Sequence, residues 1–166
     1  MDKALKVISR LHKDGVLVEY AIGDAIATIY YTEPFATYDV DIFFIPPEEK
    51  GIHILTPFYD FLTKKGYKTH KEYILIDETP IQFIPASTAL EKESVQHAVA
   101  VKYKNIKVNI LRPEYLIAIS LSVFRLKDRE KIAKLMEQTK IDMKLLTEIL
   151  LRYGLKEKFE NFNGVR

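Results

Sequence analysis

An α+β fold, α/β-like in the order of its elements, is what the sequence predicts: a mixed β-sheet flanked by helices and followed by a helical C-terminal subdomain. Three observations carry this. Strand and helix signals alternate through residues 1–111, which read as one core. Beyond Arg112-Pro113 the character changes, and residues 112–166 hold three helical stretches and no strand signal. Between Thr37 and Pro46 lies a short apolar strand, residues 38–45, that carries two carboxylates, Asp39 and Asp41. Side chains alternate faces along a strand, so these two project from one face about 7 Å apart at the backbone.

Leu5, Ile8 and Leu11 recur at helical spacing up to Lys13-Asp14-Gly15, where glycine can supply a left-handed end, so the chain opens on a short helix. Residues 16–22 are β-branched and apolar enough for a buried strand. Gly23-Asp24 punctuates it, and residues 25–31 turn helical. After a loop over 32–37 comes the carboxylate strand, stopped by Pro46-Pro47. Pro57 opens a helix over 58–65, closed by Gly66. Residues 73–76 and 80–84 flank a short turn and read as a hairpin. A helix over 89–98 starts after Ser87-Thr88, both good caps. Residues 99–103 and 106–111 form a second hairpin, and helices follow over 114–124, 128–138 and 143–153, the last stopped by Gly154.

With 166 residues the chain suits one domain with a small appendage better than two independent folds. The 25 basic and 23 acidic residues give a net charge of +2, which removes any general electrostatic case for nucleic-acid or membrane binding; attraction for phosphate has to be local. There is no cysteine, so disulfides, thiolate metal sites and a cysteine nucleophile are excluded, which suits a reducing compartment. No apolar run reaches the ~18 residues of a membrane span, and the N-terminus lacks a signal-type apolar region; a cytoplasmic location is expected. His12, His53, His70 and His97 show no zinc-ligand spacing.

Two carboxylates beside a core need a cation, either a lysine or arginine of the protein or a bound divalent metal. Gly23-Asp24 at the start of a helix, followed sixteen residues after Gly23 by Asp39-Val40-Asp41, resembles the signature of the nucleotidyltransferase superfamily. The resemblance extends over residues 20–25, 37–41, 80–85, 112–116 and 125–129, and is to the nucleotidyltransferase-like proteins related to the AbiEii toxin of abortive-infection and toxin–antitoxin systems. It implies a nucleotidyltransferase-type sheet and transfer of a nucleoside monophosphate from an NTP substrate to an acceptor hydroxyl, with Mg²⁺ or Mn²⁺ as cofactor. Asp39 and Asp41 would be the catalytic and metal-binding residues. Gly23 and Asp24 would contact the nucleotide at a helix N-terminus, and Arg125 and Lys127 would balance its phosphates. The acceptor would be RNA, tRNA, a protein or a small molecule, and a toxin assignment would imply an antitoxin partner.

The chain departs from that pattern twice. Where the superfamily places a third carboxylate, this chain has Gln82, an amide that can offer an oxygen to a metal but cannot take a proton. Where the family has glycine or serine facing phosphate, it has Asp24, which could cap the helix or join the metal ligands. A catalytically inactive binding or interaction module with the same fold is therefore the alternative, and a carboxylate pair neutralised by the protein's own cations is a third reading. Lys127, Lys131 and Lys134 follow i, i+4, i+7 spacing and form either a phosphate-facing stripe or a solvated face in which Glu130 pairs with Lys134. Tyr30, Tyr31, Phe35 and Tyr38 could stack on a base or simply pack.

Overall fold

The structure, a computed structural model, describes residues 1–37, 39–47, 54–70 and 72–164; Tyr38, the expected start of the carboxylate strand, and His53 lie outside them. Helix α1 (Asp2–Lys13) buries Ala4, Leu5, Ile8 and Leu11 along one stripe. Its end is closed when the amides of Val16 and Leu17 both turn back to the carbonyl of Leu11, with Gly15 in the left-handed region at φ +71°. This fold-back is why strand β1 (Tyr20–Ile22) is shorter than the run of β-branched residues suggests.

Helix α2 (Asp24–Tyr31) and strand β2 (Val40–Phe44) follow, then α3 (Thr56–Lys64), β3 (Lys68–His70), β4 (Tyr73–Ile76), β5 (Thr79–Pro85) and α4 (Ala89–Gln96). Thr88 caps α4 by accepting from the Glu91 amide at 3.1 Å, while Glu91 accepts from the Thr88 amide at 2.9 Å. The β6 (Val99–Tyr103) and β7 (Ile106–Ile110) hairpin leads into α5 (Pro113–Val123), α6 (Leu126–Gln138), α7 (Met143–Arg152) and α8 (Lys156–Gly164).

The strands form one mixed sheet in the order β3-β4-β5-β2-β1-β7-β6. Strand β2 lies at its centre, antiparallel to β1 and parallel to β5, with Asp41 opposite Gln82 and Gln82 in turn opposite Tyr73. Val40, Ile42 and Phe44 are fully buried on one face of β2. On that face Phe58 of α3 stacks on Phe83 and meets Phe44 edge-on. The opposite face of β2 carries Asp39, Asp41 and Phe43, which share a cavity with residues of α5 and of the start of α6. Helix α5 has eight of its eleven residues buried, which fits an apolar helix enclosed on most sides. No described helix is long and apolar enough to cross a membrane.

Candidate functional site

Strand β2 begins one residue after Asp39 and carries Asp41 at its second position. Both side chains open onto a cavity of about 330 Å³ between the sheet and α5–α6. Phe43, Gln82, Ile84 and Tyr73 extend its sheet side, Leu116, Ile119 and Ser120 come from α5, and Arg125, Lys127, Asp128 and Lys131 come from the start of α6. A second cavity of about 290 Å³ shares Asp24, Asp39, Lys127 and Lys131 with the first and continues to Ala25, Phe35, Glu130 and Lys134. Asp24, Asp39, Asp41, Arg125 and Lys127 are thus brought together, although they come from three separate stretches of chain.

Among the described residues neither Asp39 nor Asp41 takes part in an ion pair, so no described lysine or arginine holds the acidic pair directly. Burial, and then the charge of Asp39, push the Asp41 carboxyl up to about 6; Lys127 and Arg125 act from a distance in the other direction. A half-buried carboxylate of this kind gains from a neighbouring cation, either a basic side chain or a divalent metal. The donor set fits the metal: two carboxylates with an amide beside Asp41 are hard oxygen ligands of the sort Mg²⁺ and Mn²⁺ take. Gln82 stands opposite Asp41, and no group of three or more His, Asp or Glu placed for a metal occurs among the described residues.

Gly23 lines neither cavity. Its backbone is extended (φ −120°, ψ −158°), not left-handed, and its amide donates to the carbonyl of Asp41 at 2.9 Å, tying the start of α2 to the acidic strand. A Cβ at this position would come within 2.5 Å of the Phe43 ring and 3.2 Å of Leu111, so the need for glycine is one of packing inside the protein. It is Asp24 that adopts the left-handed region, at φ +43°. Its carboxylate does not cap α2; it pairs with Lys131.

Lys131 is only 7% exposed and lies between Asp24 and Asp128, the latter at 3.0 Å. Burial pushes its ammonium down to about 8, which still leaves it charged at neutral pH between two carboxylates. Asp128 is fixed in turn: it is 1% exposed and accepts from the Arg125 amide and from the Arg125 Nε, both at 2.9 Å. Arg125 therefore spends its guanidinium on Asp128 while lining the larger cavity. Lys127 makes no ion pair among the described residues and faces both cavities.

The lysine stripe faces the cleft, with Lys131 buried and Lys127 exposed. Lys127, Lys131 and Lys134 all line the smaller cavity, and Lys134 lies over the Phe35 ring at 5.2 Å instead of pairing with Glu130. Sequence spacing found the stripe but did not single out Lys131, whose partner Asp24 is 107 positions away. Of the aromatic candidates, Phe35 reaches the site; Tyr30 lines a separate apolar groove beside Met1 and Leu5, and Tyr31 packs edge-on against Tyr30.

Known structures share this architecture. An antigenic nucleotidyltransferase-like protein from Paracoccidioides brasiliensis superposes with a TM-score of 0.58 at 16% identity, over 82% of this chain and 75% of that one. The fold is that of the nucleotidyltransferases. The antibiotic-resistance factor ANT(2″)-Ia, described as having substrate-regulated conformation dynamics, matches with a TM-score of 0.53 at 14% identity, over 96% of this chain and 97% of its own. No protein-family model matches the sequence, and no curated protein is similar to it. At such identities the nucleotidyltransferase likeness is one of architecture, and function has to be argued from the site.

Proposed function

We propose that the protein is a nucleotidyltransferase that moves a nucleoside monophosphate from an NTP to an acceptor hydroxyl. The observation that carries this is the Asp39–Asp41 pair: two carboxylates on one face of the central strand, without a cationic partner among the described residues, at the wall of a cavity that lysines close from the other side. Asp39 and Asp41 would hold Mg²⁺ or Mn²⁺, with the Gln82 amide alongside. The metal supplies neutralisation of phosphate charge when bound. Lys127, with Arg125 behind it, counters the charge of the polyphosphate, and α2 presents its uncapped N-terminal amides beside Ala25 of the smaller cavity. In the transfer the acceptor oxygen bonds to the α-phosphorus, pyrophosphate leaves, and the hydroxyl proton is lost.

Gln82 favours a second reading. It stands opposite Asp41 and cannot accept that proton, which fits a module that binds a nucleotide without turning it over. RNA, tRNA, a protein or a small molecule as acceptor, and an antitoxin partner by way of the AbiEii-like resemblance, belong to the same proposal, as does the cytoplasmic setting expected from composition.

The test is incubation with α-labelled NTPs, Mg²⁺ or Mn²⁺ and a cell extract. Label transfer by wild type and not by Asp39→Asn or Asp41→Asn supports the transferase. Nucleotide-dependent thermal stabilisation without transfer supports the binding module, and transfer undiminished in both variants rules out the assigned site.

A further inference from the structure

Lys131 is the one site cation enclosed by protein on nearly all sides, and its two anionic partners differ in kind. Asp128 is locked by three hydrogen bonds from Arg125 and is almost fully buried. The Asp24 side chain is 22% exposed, lines both cavities, and has no polar partner but Lys131 among the described residues. Asp128 is thus the fixed partner and Asp24 the displaceable one.

The position of Asp24 is also unusual for an aspartate at the start of a helix. It neither caps α2 nor relaxes out of the left-handed region, a conformation that favours glycine and that aspartate adopts at some cost. What it gains is the ion pair with Lys131. The smaller cavity contains three lysines, Lys127, Lys131 and Lys134, and three carboxylates, Asp24, Asp39 and Glu130, so Asp24 is what brings its fixed charge to balance. Without Asp24 that wall is an anion site at a helix N-terminus.

We propose that Asp24 is an internal counter-ion: it holds the place at Lys131 that a ligand's polyphosphate would take, and must give it up for the polyphosphate to bind. The inference rests on the reading of this cleft as a nucleotide site, and it makes Asp24 a restraint on nucleotide binding instead of a ligand of it. Affinity for polyphosphate is set low by the chain itself, and any partner or covalent change that draws Asp24 away raises it.

The test is calorimetric titration of the full chain with tripolyphosphate in the absence of divalent metal. Asp24→Asn is the informative substitution, because asparagine tolerates the left-handed region and removes only the charge; Asp24→Ser is the second, and thermal melts establish that each is folded. Both are expected to tighten binding about tenfold, the size of one charge-assisted hydrogen bond. The gain should vanish when Lys131→Met is added to either. Equal or weaker binding by both Asp24 variants, a gain that survives Lys131→Met, or no binding by any variant overturns the proposal. Its failure is separable from that of the transferase reading. Label transfer by wild type without tighter binding by Asp24→Asn removes the restraint alone, and tighter binding without label transfer removes the transferase alone.

Discussion

Asp41 ionises where both burial and Asp39 oppose the charge, which lifts its carboxyl to about 6. In the unfolded chain an aspartate titrates near 4. Between roughly pH 4 and 6 the folded protein therefore holds that proton more tightly than the unfolded one, and stability falls as pH rises through this window. About 3 kcal/mol is lost by pH 7 and stays lost above it. Asp41→Asn removes the repulsion, so its melting temperature at pH 8 should exceed that of metal-free wild type and the difference should shrink at pH 4, as thermal melts across that range would show. Saturating Mg²⁺ or Mn²⁺ should stabilise wild type at pH 8 and do little at pH 5, where Asp41 is mostly protonated. A metal effect of equal size at both pH values would mean that Asp41 is not a ligand.

Among the elements, the junction of β1, α2 and β2 decides whether the acidic pair faces the cavity. Gly23→Ala would drive a methyl group into the Phe43 ring, next along the strand face from Asp41; overpacking of this kind costs about 1–3 kcal/mol. Denaturant unfolding should show that loss, and Phe43→Leu should recover part of it in the double variant. At α4, Thr88→Ala should cost about 1 kcal/mol by removing the cap on the Glu91 amide, as denaturant unfolding would show.

The same elements show what could be read from sequence. The carboxylate strand, both hairpins and the lysine stripe of α6 were legible because each has a period that matches its geometry. Strand β3 was not: Lys68, Thr69 and His70 are all exposed, and what makes them a strand is the open edge of β4. Helix α8 is short, and the sequence reading ended the helices at Gly154. Within the site, the acids and the stripe were visible one at a time. The Asp24–Lys131 contact was not, because nothing local to either residue encodes a partner more than a hundred positions away, and Gly23 was read as a turn or phosphate-facing residue when the constraint comes from Phe43 across the sheet.

For the molecule as a whole, residues 112–166 supply one wall of the cleft. Tyr115, Leu116, Ile117, Ala118 and Leu121 of α5 are buried, and the loop after α6 is tied back when the Asp142 amide donates to Glu114 at 2.9 Å. A fragment ending at residue 111 would lack the α5 side of the cavity that Phe43 and Leu111 line, and is expected not to form a cooperatively melting domain. Circular dichroism and thermal melting of that fragment would check this. The cleft exists because sheet and helices meet, so its chemistry should be lost with either part.

The central claim is that a divalent cation, and not a lysine or arginine, answers the charge of Asp39 and Asp41. Titration of the full chain with Mn²⁺ in the presence of a non-hydrolysable NTP analogue, followed by the electron paramagnetic resonance of free Mn²⁺, tests it most directly. Mn²⁺ should be bound by wild type and lost in Asp39→Asn and Asp41→Asn, with both variants still folded. No bound Mn²⁺ in wild type, or binding unchanged in the two variants, would contradict it.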